Sequence, residues 1–75
     1  MAQQLQEALN RKHQFLRLRQ VELQVGLKRS SIYQRIKDGD FPKSYPLGPR
    51  AVGWLAEDID GWIESRIRAS RKVVA

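Results

Sequence analysis

Four glycines and three prolines between residues 26 and 53 limit this 75-residue chain more than anything else in it. Gly26 and Gly39 bracket the stretch "GLKRSSIYQRIKDGDFP", which leaves room for about three helical turns. Pro42, Pro46 and Pro49, with Gly48 and Gly53, exclude a helix over 43–54. The middle of the chain can therefore hold only short elements. Before Gly26, "RQVELQV" sets Val21 and Val25 on one helical face with Leu23 to the side, which predicts a short helix at about 19–25. Gly26 suits the left-handed residue that ends such a helix, and Leu27 supplies the apolar contact across the cap. Ile32 and Ile36 define the buried face of a second helix over 28–38, which Gly39 stops. Two short helices joined by about three residues, one of them glycine, match the helix-turn-helix pattern.

Over 43–54, Tyr45, Leu47, Val52 and Trp54 have strand preferences. Gly48-Pro49-Arg50-Ala51 reads as a tight turn with Pro49 at its second position, giving a two-stranded hairpin with Arg50 at the tip. Pro46 has no N–H to donate and fits only an edge strand. The clearest helix is 56–70, where Ile59, Trp62, Ile63, Arg66 and Ile67 keep helical spacing. Its first turns carry Glu57, Asp58 and Asp60 and its end carries Arg66, Arg68 and Arg71, both matched to the helix dipole. Gly61 costs this helix about 1 kcal/mol relative to alanine, which implies a close neighbour there. Residues 15–18, "FLRL", are a short apolar run suited to extended structure. Residues 1–14 read as an arm or weak helix striped by Leu5, Ala8 and Leu9, and 71–75 as a tail, leaving 15–70 as the domain. The fold class is mainly α with a small β-hairpin: helix, turn, helix, hairpin, helix, the order of a winged helix-turn-helix.

Charge narrows the partner. Net charge is +6, and residues 11–50 carry ten Lys and Arg against three Asp and Glu, while 51–75 carry four of each. A basic field concentrated on the first four elements suits a polyanion, and nucleic acid is the commonest one in cytoplasm. No cysteine is present, so there is neither a disulfide framework nor a thiolate metal site. His13 is the only histidine and reads as a surface or structural residue. No cofactor, small-molecule substrate or membrane partner is expected, no nucleophile or phosphate loop is framed, and a cytoplasmic location is expected. An enzyme is not indicated.

On a helical wheel centred on Ile32 and Ile36, the opposite face of 28–38 holds Ser30, Ser31, Gln34, Lys37 and Asp38, with Tyr33 and Arg35 on the flanks. Small hydroxyls, an amide and long cations are the chemistry of a groove-facing helix: Gln pairs with adenine, while cations and hydroxyls hold phosphates. Each piece has a plainer reading. The cations suit a solvated face, Ser30 and Ser31 suit first-turn capping, Tyr33 suits a core boundary, and Arg50 suits turn chemistry. The acidic clusters Asp38/Asp40 and Glu57/Asp58/Asp60 are explained by a helix end and a helix start, and Trp54 and Trp62 as core. The joint arrangement favours double-stranded DNA. The expected contacts are Lys28, Arg29, Ser30, Ser31, Tyr33, Gln34, Arg35 and Lys37 on the helix, with Lys43 and Arg50 on the wing.

"GLKRSSIYQRIKDGDFP", "LGPRAVGW" and "DIDGWI", within 15–67, resemble the AlpA-type prophage regulators, small DNA-binding proteins related to excisionases and to the MerR-like winged helix. The resemblance implies a transcriptional regulator of prophage or integrated-island genes. It matches Arg29, Ser30, Ser31, Tyr33, Gln34 and Lys37 to a recognition helix and Arg50 to a wing. Family members often carry serine where this chain has Lys28, so the N-terminal cap of the helix differs here. RNA polymerase and an integrase are the further partners it admits, while the limited affinity of a single module and the Leu5–Leu9 stripe suggest self-association on repeated sites. An excisionase-like architectural factor for recombination is the nearest alternative, and a basic protein–protein adaptor is the alternative from another class.

Overall fold

A computed structural model describes residues 13–74. A two-residue strand β1 (Phe15–Leu16) leads into helix α1 (Leu18–Val25), then helix α2 (Arg29–Lys37), strands β2 (Tyr45–Gly48) and β3 (Ala51–Leu55), and helix α3 (Ala56–Val74). The winged helix-turn-helix order is thus present, with one addition. The extended run at Phe15–Leu16 joins the hairpin, so the sheet has three antiparallel strands in the order β1-β3-β2. Phe15 pairs with Leu55 and Leu16 with Trp54. The Ala56 N–H donates to the Gln14 carbonyl at 2.7 Å and carries this pairing into the start of α3.

The short helices end where local chemistry requires. At the end of α1, Gly26 lies at φ 73°, and its N–H donates to the Glu22 carbonyl at 2.9 Å. After α2, Gly39 lies at φ 79°. The Gly39 N–H donates to Ile36 O at 3.1 Å and the Asp40 N–H to Arg35 O at 2.8 Å, the paired bonds of a Schellman cap. A side chain at either glycine would be forced into the left-handed region that costs ordinary L-residues about 1 kcal/mol or more.

Leu16, Val21, Ile32, Phe41, Trp54 and Ile59 form the buried core, so every element except β2 contributes a member or an adjoining residue. Trp54 sits at the centre with no exposed surface, and its indole N–H donates to the Pro42 carbonyl at 3.0 Å. Trp62 lies at the edge. Its ring packs on Phe41 at 4.9 Å between centroids, and its N–H donates to the Asp40 carbonyl at 2.8 Å. The two tryptophans therefore pin the turn at 39–42, and with it the end of α2. β2 is an edge strand, where Pro46 can stand opposite Val52 without breaking a ladder on its outer side.

Two expectations are corrected. Gly61 has no close neighbour: a Cβ there would meet nothing within 4 Å. The close approach is at Gly53, where a Cβ would lie 2.8 Å from Leu47 Cδ1 and 3.3 Å from Phe15 Cβ. Phe15 and Tyr45, 5.8 Å apart, close over that bare position on the outer face of the sheet. The final helix also runs on to Val74 instead of ending at Ser70. No glycine or proline follows Ser70, so nothing stops it, although residues 64–71 are all exposed. The Leu5, Ala8 and Leu9 stripe lies outside the described residues. His13 is exposed, with Nδ1 2.9 Å from a Glu57 carboxylate oxygen.

Candidate nucleic-acid interface

The interface begins with how α2 starts. Lys28 is extended (φ −83°, ψ 162°) and makes no side-chain cap. Its carbonyl accepts the Ile32 N–H at 3.0 Å, the first bond of the helix. The N–H groups of Arg29, Ser30 and Ser31 therefore have no acceptor within the helix. They carry the positive end of the helix dipole, which attracts anions. The missing cap has a cost that can be measured. Lys28→Ser is expected to stabilise the domain by about 1 kcal/mol, a rise in melting temperature of about 4–8 °C for a domain of this size. A thermal melt that fails to rise would show that the uncapped start is already satisfied in another way.

The body of α2 is set by one buried residue. Ile32 is fully buried and Ile36 half-buried, which turns Ser30, Ser31, Gln34 and Lys37 outward, all of them exposed. Tyr33 is 40% exposed. Its ring and that of Trp54 meet edge to face, 6.3 Å between centroids, and the Arg29 guanidinium lies 5.8 Å from the Tyr33 ring centre. Tyr33 thus joins the core to the basic surface and presents its hydroxyl as a polar tip.

The site residues expected from the sequence do not all come together. Ser30, Ser31, Gln34 and Arg35 line one shallow open depression on α2, closed at its far side by Asp38 and Asp40. Arg35 is not a free cation there. Its guanidinium is half-buried and lies 3.0 Å from an Asp40 carboxylate oxygen, while the Asp40 N–H bonds the Arg35 carbonyl. Gln34 is also engaged, its Nε2 donating to Asp38 Oδ1 at 3.2 Å. Lys43 lies elsewhere, in a groove between the 39–45 segment and α3 that also includes Glu57, Asp58, Trp62 and Arg66. Arg50 is exposed in the Pro49–Arg50 turn between β2 and β3. Among the described residues, Lys28, Arg29, Lys37, Lys43 and Arg50 have no carboxylate partner within 4.0 Å.

Sequence reasoning assigned Asp38 and Asp40 only to a helix end and missed their hold on Gln34 and Arg35. The 34–38 spacing, four residues apart on one helix, was a readable signal. The Arg35–Asp40 pair was not, because it forms only after Gly39 reverses the chain. No group of three or more His, Asp or Glu side chains among the described residues converges as a metal site. None of the described helices is long and apolar enough to cross a membrane.

Comparison with known proteins adds to this geometry. A family model described as prophage CP4-57 regulatory protein (AlpA) matches residues 14–67. The chain is 43% identical over 58 residues to Enterobacteria phage P4 "Uncharacterized protein ORF88", a match covering 77% of this chain and 65% of that protein. It is 36% identical over 59 residues to the "DNA-binding transcriptional activator AlpA" of Escherichia coli strain K12, covering 71% of this chain and 84% of that one.

Proposed function

Because the chain belongs to the family of the prophage regulatory protein AlpA, we propose that it is a sequence-specific double-stranded DNA-binding transcriptional regulator of prophage or integrated-island genes. α2 enters the major groove. Gln34, with Ser30 and Ser31, reads base edges. Lys28, Arg29, Lys37, the Tyr33 hydroxyl and the free N–H groups at the start of α2 hold phosphates. Arg50 at the hairpin tip and Lys43 at its base grip the flanking backbone. Arg35, already paired with Asp40, holds the end of α2 in place and leaves the phosphates to its neighbours.

The observation that carries this reading is the outer face of α2, where Ser30, Ser31, Gln34 and Lys37 stand exposed above a buried Ile32. A protein-binding helix would instead offer aromatic or aliphatic anchors outward. The test compares two variants on a panel of DNA sequences. Gln34→Ala is expected to change the order of preference among sequences, by about 1–3 kcal/mol at one base pair. Lys37→Ala is expected to weaken every sequence alike. If Gln34→Ala instead weakens all sequences equally, Gln34 does not read bases.

A further inference from the structure

The hydrogen bond between Gln34 and Asp38 has a consequence for which base Gln34 can recognise. A glutamine amide has two N–H donors and one carbonyl acceptor. An ionised carboxylate only accepts, so a Gln–Asp bond always consumes an amide hydrogen and never the amide oxygen. Asp38 Oδ1 takes Gln34 Nε2 at 3.2 Å. What remains to face outward is one N–H and one C=O. In the major groove adenine offers one acceptor, N7, beside one donor, the N6 amino group, whereas guanine offers two acceptors, N7 and O6. The residual set on Gln34 complements adenine and sets its carbonyl against an acceptor of guanine.

The holder is itself held. Asp38 is the C-cap of α2, with its N–H on the Gln34 carbonyl at 3.0 Å. The next residues close the Schellman cap at Gly39 and Asp40. Asp40 is then gripped by the Arg35 guanidinium at 3.0 Å, and its carbonyl by the Trp62 indole at 2.8 Å. The carboxylate that orients Gln34 therefore stands at a helix end that is tied to the rest of the domain through Arg35 and Trp62. It is also a negative charge on a face that the proposed function turns toward phosphates, so it lowers affinity for every DNA sequence alike.

We infer that Asp38 is a positioning residue: by taking one amide hydrogen of Gln34 it leaves that side chain one donor and one acceptor, and so makes the base pair opposite Gln34 an adenine in preference to a guanine. The inference rests on α2 reading DNA as proposed above. Its signature is an unusual pairing of effects. Asp38→Ala should bind all sequences more tightly, because a negative charge is gone, while its adenine-over-guanine preference at one position falls by about fivefold. Asp38→Asn should keep the tighter binding and regain part of the preference, because its carbonyl can still accept from Gln34. In Gln34→Ala, adding Asp38→Ala should remove no further selectivity.

Fluorescence-anisotropy titrations of the full chain on a panel of single-base-substituted duplexes would read the parent and all four variants, with thermal melts confirming that each is folded. If Gln34→Ala shifts the preference at one base pair and both Asp38 variants leave that preference unchanged, the positioning role is wrong and the reading of bases by α2 stands. If Asp38→Ala changes preference at a different base pair, Asp38 contacts DNA directly and this inference fails. If Gln34→Ala shifts nothing, the base-reading proposal fails first. Should Asp38→Ala fail to fold, Asp38→Asn, which keeps the shape of the cap, decides through its affinity and preference alone.

Discussion

Trp54→Ala is expected to leave the domain largely unfolded at physiological temperature. A 75-residue domain has about 4–11 kcal/mol of stability in total. Truncating a buried tryptophan to alanine costs about 3–5 kcal/mol in lost burial and in the cavity left behind. Trp54 has no exposed surface, so the upper part of that range applies. A further loss comes from the Pro42 carbonyl, which accepts the Trp54 N–H at 3.0 Å and would lose its partner. The neighbours make the effect global. Leu16 lies opposite Trp54 in the sheet, and the Tyr33 ring on α2 leans on it. One substitution therefore loosens β1, the wing and α2 together. The melting temperature should fall by about 20 °C or more, read by circular dichroism and by urea titration. Trp62→Ala should cost less, since Trp62 is only half-buried and rests at the edge of the core. If Trp62→Ala proved the more damaging, Trp54 would not be the centre of this fold.

The contrast between the two tryptophans shows what could and could not be read along the chain. Gly26 and Gly39 were legible because the demand on them is local: each follows the last apolar residue of a short helix, and each sits at positive φ. Pro46 was legible for the same reason, since a missing donor restricts a strand wherever it pairs. The extended run at Phe15–Leu16 was legible too, but its pairing as a third strand was not. Phe15 and Leu16 carry no pattern of their own over two residues, and they become a strand only because Trp54 and Leu55 lie beside them. The meaning of the glycines followed the same divide. Gly61 in a helix suggested a close neighbour, yet its surroundings are open, while Gly53 is crowded by Leu47 and Phe15 from the two flanking strands. Crowding belongs to three segments at once and leaves no mark on any one of them. The end of α3 was misjudged because apolar spacing stops near Ile67. Loss of spacing marks the end of packing, not the end of the helix.

The site divides along similar lines. The wheel drawn on Ile32 and Ile36 correctly turned Ser30, Ser31, Gln34 and Lys37 outward, because a single buried isoleucine sets the rotation of a nine-residue helix. A wheel treats every cation on a face as equivalent, however, and it stops at the last helical residue. The wheel sets Arg35 on a flank and Lys37 on the outer face, but it cannot show that Arg35 is neutralised by Asp40, which the turn at Gly39 brings back within 3.0 Å of the guanidinium. Lys43 was grouped with Arg50 as two wing cations. Their settings differ: Lys43 shares its groove with Glu57 and Asp58, and Arg50 stands in an exposed turn.

Those distinctions determine how binding should depend on salt. Five cations assigned to phosphates, Lys28, Arg29, Lys37, Lys43 and Arg50, have no carboxylate partner among the described residues. Each phosphate neutralised by a free cation releases condensed counterion, and on B-form DNA the slope of log K against log salt is about −0.9 per contact. The expected slope is about −5. A fourfold rise in salt should then weaken binding by about 1,000-fold. Single variants apportion the total. Lys37→Ala and Arg50→Ala should each make the slope shallower by about 1. Arg35→Ala should leave it nearly unchanged, because that guanidinium is already neutralised by Asp40, and its cost should appear instead as a lower melting temperature. Titrations at four or five salt concentrations measure all of these. A flat dependence would overturn the electrostatic part of the proposed function. A slope that falls as much for Arg35→Ala as for Lys37→Ala would mean that the Arg35–Asp40 pair opens on DNA and that Arg35 binds phosphate after all.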